Sequence, residues 1–312
     1  MAGIGIIANP HSKLNKRYPQ RQHLLSYIAG ESGHFKVTNN LEELKQVTRE
    51  FHRREISILA INGGDGTISR TLSALLETYR QTPKLLPKIV LLRGGTINML
   101  ADNLGISGRP EQILYRLIEA HSLGLELPEQ SFASLQIANN YGFIFASGAS
   151  ARFLKEFYKN KTNSLGSVFL TIRVMVSALV QGPLFRRIVG RECLTITTDE
   201  GSSFRHGTLS LLCATVPYAP FKRRLFPQAM HDRQRLHLVS VAHSPEELVG
   251  RFMPNYILFP DSFRTGKLQL AARTLRVSSA RPIPYTLDGE LYESEGNEVA
   301  LSCGPQLTFV VV

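Results

Sequence analysis

The stretch from Ile58 to Tyr79, ILAINGGDGTISRTLSALLETY, constrains the fold of this chain more than any other. It continues the unbroken apolar run ISILAI (56–61), the pattern of a strand buried on both faces. Ile68, Leu72, Leu75, Leu76 and Tyr79 then recur at helical spacing. Between strand and helix stands Gly63-Gly64-Asp65-Gly66-Thr67. Strand, glycine turn and helix in that order make one unit of a parallel sheet, where ligands bind beyond the carboxyl ends of the strands.

The neighbouring segments extend the pattern. GIGIIAN (3–9) and KIVLLR (88–93) read as further strands. LEELKQVTREFHRRE (41–55) and PEQILYRLIEAHSLG (110–124) read as helices, and another is expected from near Pro19. The texture changes at LELPEQ (125–130). Beyond it come ASLQIAN, YGFIFAS, CLTITTD, GTLSLLCATV, RLHLVSVA, KLQLAA, TLRVSSA and NEVALSC, several of which alternate apolar with polar residues, as half-buried antiparallel strands do. A helical stretch at 164–181 interrupts them. The expected architecture is an α/β domain with a parallel sheet over residues 1–128 and a mostly β, sandwich-like domain over 129–312. The 312 residues suffice for two cores.

Four short motifs carry chemistry. In the first, Gly63 to Thr67, glycines let a ligand approach the backbone, and successive N–H groups at a helix start suit phosphate. A carboxylate there would repel phosphate unless a cation intervenes, so Asp65 points to Mg²⁺ or to a group that orients the acceptor. The alternative is that Asp65 and Thr67 only shape a turn and cap a helix. The second motif, Gly94-Gly95-Thr96-Ile97-Asn98, also follows a strand and opens a helix-like segment. The third, Asn9-Pro10-His11-Ser12, is a turn signal after the first strand and falls at the same sheet edge. The fourth, Asp288-Gly289-Glu290, puts two carboxylates around a glycine, in a place where an Asp-Gly hairpin turn is the plain reading.

Together the four motifs resemble the diacylglycerol-kinase and sphingosine-kinase-like lipid kinases, in order and spacing over almost the whole chain. The resemblance implies a nucleotide-binding N-terminal domain, a β-rich lipid-substrate domain and an active-site cleft between them. It implies ATP and Mg²⁺ as cofactors and a lipid alcohol as acceptor, the alternatives being an NAD-kinase-like small-molecule kinase or a non-catalytic lipid- or nucleotide-binding protein on the same fold. Asn9, Ser12, Gly64, Asp65, Gly66, Thr67 and Thr96 fall on ATP-contacting positions, with Pro10, His11, Lys13, Gly63, Gly95 and Asn98 in the same loops and Thr38 as a further nucleotide contact. Glu290 falls on the proton acceptor, Asp288 on its partner, and Asp65 and Asp288 on candidate metal ligands. Three departures stand out. Lys13 replaces a frequent glycine, which predicts strain if φ is positive there and a phosphate contact otherwise. Arg93 replaces a frequent proline. HDRQRLHLV (231–239) keeps only Asp232 of a turn that binds a structural Mg²⁺ in bacterial members, with Arg233 and His237 nearby, so that metal is not expected.

The net charge of +11 favours an anionic partner. It is diffuse, and no recognition motif appears, so nucleic acid is not expected. Phe221 and Phe226 flank Lys222, Arg223 and Arg224, which suits an anionic membrane surface or, alternatively, a solvated loop with packed aromatics. GPLFRR (182–187) has the same basic and apolar character. Cys193, Cys213 and Cys303 fit no metal or disulfide spacing and predict reduced thiols, hence a cytoplasmic protein with peripheral membrane contact. GSVFLTIRVMVSALVQGPLF (166–185) is interrupted by Arg173 and Gly182-Pro183, and its unbroken apolar run is too short to span a membrane. The sequence is silent on oligomeric state and on which lipid is used.

Overall fold

The computed structural model describes residues 3–80, 82–159, 188, 190–241 and 268–312. The expected helical stretch 164–181, GPLFRR and the apolar stretch 166–185 lie outside the described residues. Among the described residues no helix is long and apolar enough to cross a membrane.

The first part of the chain alternates strand and helix as its periodicity predicts. β1 (Ile4–Ala8), β2 (Gly33–Val37), β3 (Ile58–Asn62) and β4 (Lys88–Leu91) pair in parallel in the order β2-β1-β3-β4. They are joined by α1 (Lys13–Arg17), α2 (Arg21–Ala29), α3 (Leu41–Arg53) and α4 (Asp65–Tyr79), and are followed by α5 (Met99–Asn103) and α6 (Pro110–Ser122). Two short helices surround Pro19 where one was expected, because α1 begins at Lys13, directly after the Asn9 turn. Ile4, Ile6, Ile7, Leu59, Ile61, Val90 and Leu91 are fully buried, so helices cover both faces of this sheet.

The second part is a two-layer β structure. β7 (Ile144–Ser147), β10 (Ser210–Ala214), β13 (Leu236–Val241), β14 (Leu268–Ala272), β16 (Pro284–Leu287) and β17 (Glu290–Glu293) form an antiparallel sheet, in the order β14-β13-β10-β7-β16-β17. Its inner face, with Phe145, Leu211, Leu238 and Leu287, packs on Leu194, Ile196, Leu275, Val277 and Leu301 from the facing layer. That layer holds β5 (Glu129–Ile137), β6 (Asn140–Gly142), β8 (Glu192–Thr198), β9 (Ser203–Thr208), β15 (Thr274–Ser278) and β18 (Glu298–Val310). α7 (Ala149–Lys159) follows β7, and the two-strand ribbon β11 (Tyr218–Ala219) and β12 (Arg223–Arg224) lies between β10 and β13.

The two parts are not separate in their sheets. β18 pairs antiparallel with β15 at one end and with β5 along most of its length, and its far end pairs parallel with β4 at Phe309 and Ile89. A register shift between Cys303 and Gln306 lets this strand change neighbours, as a bulge does. The facing layer and the parallel sheet are therefore one ten-stranded sheet.

Candidate active site

All four loops at the carboxyl edge of the parallel strands meet at one place. In the order β2-β1-β3-β4 the connections leave β1 in opposite directions, and the crevice between β1 and β3 is where such sheets bind ligands. Asn9 follows β1, and Thr67 stands in the first turn of α4 after β3. Asn9 Nδ2 donates to Thr67 Oγ1 at 2.8 Å, directly across that crevice. Asn9 also shapes its own turn: its Oδ1 accepts from His11 N and its carbonyl from Ser12 Oγ. Thr38, after β2, is buried, and its N–H donates to Ala8 O beside the same turn. Lys13 is helical and absent from the left-handed residues, so it carries no backbone strain, and its side chain is exposed.

The two glycine loops stack back to back. A Cβ on Gly95 would overlap Gly64 Cα, and one on Gly94 would overlap the side chain of Asn62. Asn98 staples its loop: Gly95 N donates to Asn98 Oδ1 at 3.0 Å, and Asn98 Nδ2 donates to Gly95 O at 2.9 Å. Asn98 adopts φ 51°, a left-handed conformation that asparagine tolerates better than most residues. It is buried, whereas Thr96 is exposed and available to a ligand.

Asp65 opens α4 and also acts on α5. Leu100 N donates to Asp65 Oδ1 at 3.3 Å, and Met99 N–H adds to that bond. The capping reading of Asp65 is thus realised, at the helix after the second glycine loop. Burial nonetheless pushes its carboxyl above the usual carboxylate range. Arg93, at φ 51°, reaches the far side of the same helix, where Nη1 donates to Asp102 Oδ1 at 2.8 Å and to Ile106 O at 2.7 Å. Proline, fixed near φ −65°, could not occupy that position. Arg93 therefore holds α5 in place by its side chain.

The opposite wall comes from the β structure. Asp288 and Gly289 join β16 to β17, both left-handed (φ 49° and 87°), as a mirror-image two-residue hairpin turn requires. The plain reading of this motif is correct, and the turn is also at the site. Asp288 keeps some exposed surface, but its carboxyl turns inward: Oδ1 accepts from Phe143 N at 3.0 Å and from Ile144 N at 2.9 Å. Burial pushes that carboxyl up to about 7 in spite of those two bonds, and the charge of Asp65 adds to the rise. Glu290 points across the cleft. Its Oε1 faces Gly66, where a Cβ would overlap it, and its Oε2 accepts from Arg70 Nη2 at 2.8 Å.

Residues not singled out from the sequence complete the site. Asn15, which is buried, donates from Nδ2 to Asn9 O at 2.8 Å and accepts from Asn62 Nδ2 at 3.3 Å, tying the first and third loops together. Ser69 Oγ donates to Tyr141 O at 2.7 Å, and Tyr141 N donates to Ser73 Oγ at 2.9 Å. These two bonds fix α4 to β6, immediately before the amides that hold Asp288. Asn103 Nδ2 donates to Tyr218 O, and Tyr218 N donates to Asn103 Oδ1, fixing α5 to the β11–β12 ribbon. In that ribbon Lys222 and Arg224 are exposed, whereas Phe226 is 1% exposed and belongs to the core. The packed-aromatic reading therefore holds for Phe226.

Two other places carry titratable clusters. A cavity lined by Gly3, Glu31, Ser32, His34, Arg54, His121 and Ser122 lies at the amino ends of the strands, away from the glycine loops. Arg54 and His121 sit there at the carboxyl ends of α3 and α6, where cations favour the helix dipole. Near Asp232, the ring of His237 bonds the Asp232 carbonyl at 2.7 Å, Arg235 pairs with the Asp232 carboxylate, and Arg233 lies over Phe132. Among the described residues no three His, Cys, Asp or Glu side chains group as a metal cage.

The site is thus a parallel-sheet domain with glycine loops at its switch point, faced by carboxylates from the β structure. Residues 4–127 match the model of the diacylglycerol kinase catalytic domain. Sequence comparison with curated proteins finds no match. The whole fold is similar to that of a diacylglycerol kinase from Bacillus anthracis, with a TM-score of 0.65 and 12% identity over 99% of this chain and 97% of that one. A candidate diacylglycerol kinase from the same organism gives 0.68 and 14%, over 99% and 97%. At such identities the likeness is one of fold, and it extends through the β-rich part as well as the matched domain.

Proposed function

We propose that this protein is an ATP- and Mg²⁺-dependent kinase of a lipid alcohol, with residues 1–128 carrying the nucleotide and 129–312 the lipid. The observation that carries the reading is the contact of Glu290 with Gly66: it sets a carboxylate from the β sandwich against the first turn of α4. That turn is the anion-binding end of a fifteen-residue helix. Phosphoryl transfer needs those two things side by side, a phosphate cradle and an acceptor for the hydroxyl proton.

In this reading Gly63 to Thr67 and Gly94 to Thr96 bind the phosphates through backbone N–H groups, Thr67 being oriented by Asn9. Glu290 takes the proton of the lipid hydroxyl. Asp288 holds the Glu290 turn onto the Phe143 and Ile144 amides. Both oxygens of its carboxyl accept amide bonds there, whereas the Leu100 amide takes Oδ1 of Asp65, so Asp65 is the better magnesium ligand, directly or through water. Mg²⁺ usually keeps several waters and is held through one or two carboxylates, a part that Asp65 would fill. When bound, it neutralises charge on the β- and γ-phosphates. Exposed Lys222 and Arg224, at the end of the element that α5 links to the site, suit contact with an anionic bilayer. The reduced-thiol reading of the three free cysteines fits a cytoplasmic enzyme working at that surface.

The test is transfer of labelled γ-phosphate from ATP to diacylglycerol, monoacylglycerol, phosphatidylglycerol, sphingosine and ceramide in mixed micelles with Mg²⁺, with NAD as a soluble acceptor. A labelled lipid is expected. Glu290→Gln should lower the rate by roughly a hundredfold or more, and Asp65→Ala should abolish it. Label on NAD alone would move the protein to the small-molecule kinases. ATP binding without any label would refute catalysis on these acceptors.

A further inference from the structure

The sequence gives Arg70 no distinction, since a lone arginine on an amphipathic helix reads as solvated surface. In the structure it reaches across the cleft. It lies in the second turn of α4, and its Nη2 holds Glu290 Oε2 at 2.8 Å. The two side chains are 58% and 34% exposed, so the pair adds little to fold stability. Its geometry is nevertheless specific. The guanidinium takes one oxygen of the carboxylate, while the other, Oε1, is turned toward Gly66 and the first turn of α4. On the other side, Tyr158 Oη donates to Gly289 O at 3.0 Å, so the turn that carries Glu290 is held from α7 as well.

We propose that Arg70 is a positioning residue that anchors Oε2 of Glu290 and thereby assigns proton transfer to Oε1. The proposal rests on the lipid-kinase reading above and deepens it. In the step concerned, the O–H bond of the acceptor breaks and its proton passes to Oε1. The acceptor oxygen bonds the γ-phosphorus, the bond from γ-phosphorus to the bridging oxygen breaks, and ADP leaves with that electron pair. Arg70 undergoes no covalent change. It removes the rotational freedom of a side chain that would otherwise sample the open cleft, and misplacement of a reacting group by about 1 Å can lower a rate by roughly a hundredfold.

The experiment compares wild type, Arg70→Ala, Arg70→Lys and Arg70→Glu in steady-state transfer from ATP to the panel lipid that wild type labels best, with thermal melts of all four. For Arg70→Ala, kcat should fall roughly 10- to 100-fold with KM for ATP within about twofold of wild type and an unchanged melt. Arg70→Lys should recover most of the loss, and Arg70→Glu should be the slowest. Unchanged kcat in Arg70→Ala, a loss confined to KM for ATP, or equal losses in Ala and Lys would each overturn the proposal while leaving the lipid-kinase reading intact. A wild type that labels none of the lipids would overturn that reading, and this proposal with it.

Discussion

On the amino-terminal side of the cleft, Gly64 packs on Gly95 and Gly94 on Asn62, so the surface offered to a ligand is main chain. On the facing side, the Asp288 turn offers side chains: one carboxyl buried on two amides, the other reaching across to Arg70. The first surface has no room to change without moving the loops themselves. The second can change its chemistry one side chain at a time. Recognition of an invariant phosphate group suits the former, and proton transfer to a particular acceptor suits the latter.

The largest expected effect that sharpens this contrast is on pH dependence. Burial keeps the Asp288 proton to about pH 7, whereas a solvated aspartate releases it near pH 4. Between those limits the folded state holds one proton that the unfolded state has lost. This contribution to stability is therefore complete below about pH 4 and falls as pH rises toward 7, by up to about 1.4 kcal/mol per unit. Denaturant melts across that range should show the slope in wild type and a flatter one in Asp288→Asn. Equal slopes would mean that the two amides keep the carboxyl ionised throughout.

The same substitution at two glycines then separates the surfaces directly. Gly95→Ala drives a Cβ into the Gly64 backbone, which has nowhere to go, and should destabilise by about 1–3 kcal/mol and weaken ATP binding in calorimetry. Gly66→Ala meets only Glu290 Oε1, the end of a side chain that can swing aside. Stability should be unchanged or raised by up to about 1 kcal/mol, because alanine favours the helix, while phosphate transfer falls and ATP still binds. If Gly66→Ala proved as destabilising as Gly95→Ala, the distinction between a rigid main-chain wall and an adaptable side-chain wall would fail.

What the sequence reveals divides along the same line. The glycine loops are legible because strand, turn and helix are contiguous and their periodicities differ. The Asp288 turn is legible as a turn, but its partners are distant in the chain: nothing in Phe143-Ile144 announces that the first of these amides seats a carboxyl 145 residues later. Asn15 and Asn62 are hidden because asparagine is common at turns and strand ends, and only burial shows them tying two loops together. Ser69 and Ser73 occupy one helix face, but their partners are the backbone carbonyl and amide of Tyr141, which carry no sequence signature. Arg93 is the reverse case: it stands out as a departure, and only its left-handed φ and its bonds to Asp102 and Ile106 explain what it does.

The path of β18 has a consequence for how the molecule comes into being. Phe309, fully buried, completes the parallel sheet beside Ile89, and Val311 N donates to Pro128 O at 2.8 Å. During synthesis, the domain that carries the glycine loops emerges first, yet the edge of its sheet at β4 waits unpaired until β18 has left the ribosome. Pairing over so long a separation closes late and slowly. The nascent parallel-sheet domain thus exposes an apolar strand edge until β18 arrives, and that pairing ends its vulnerability to aggregation.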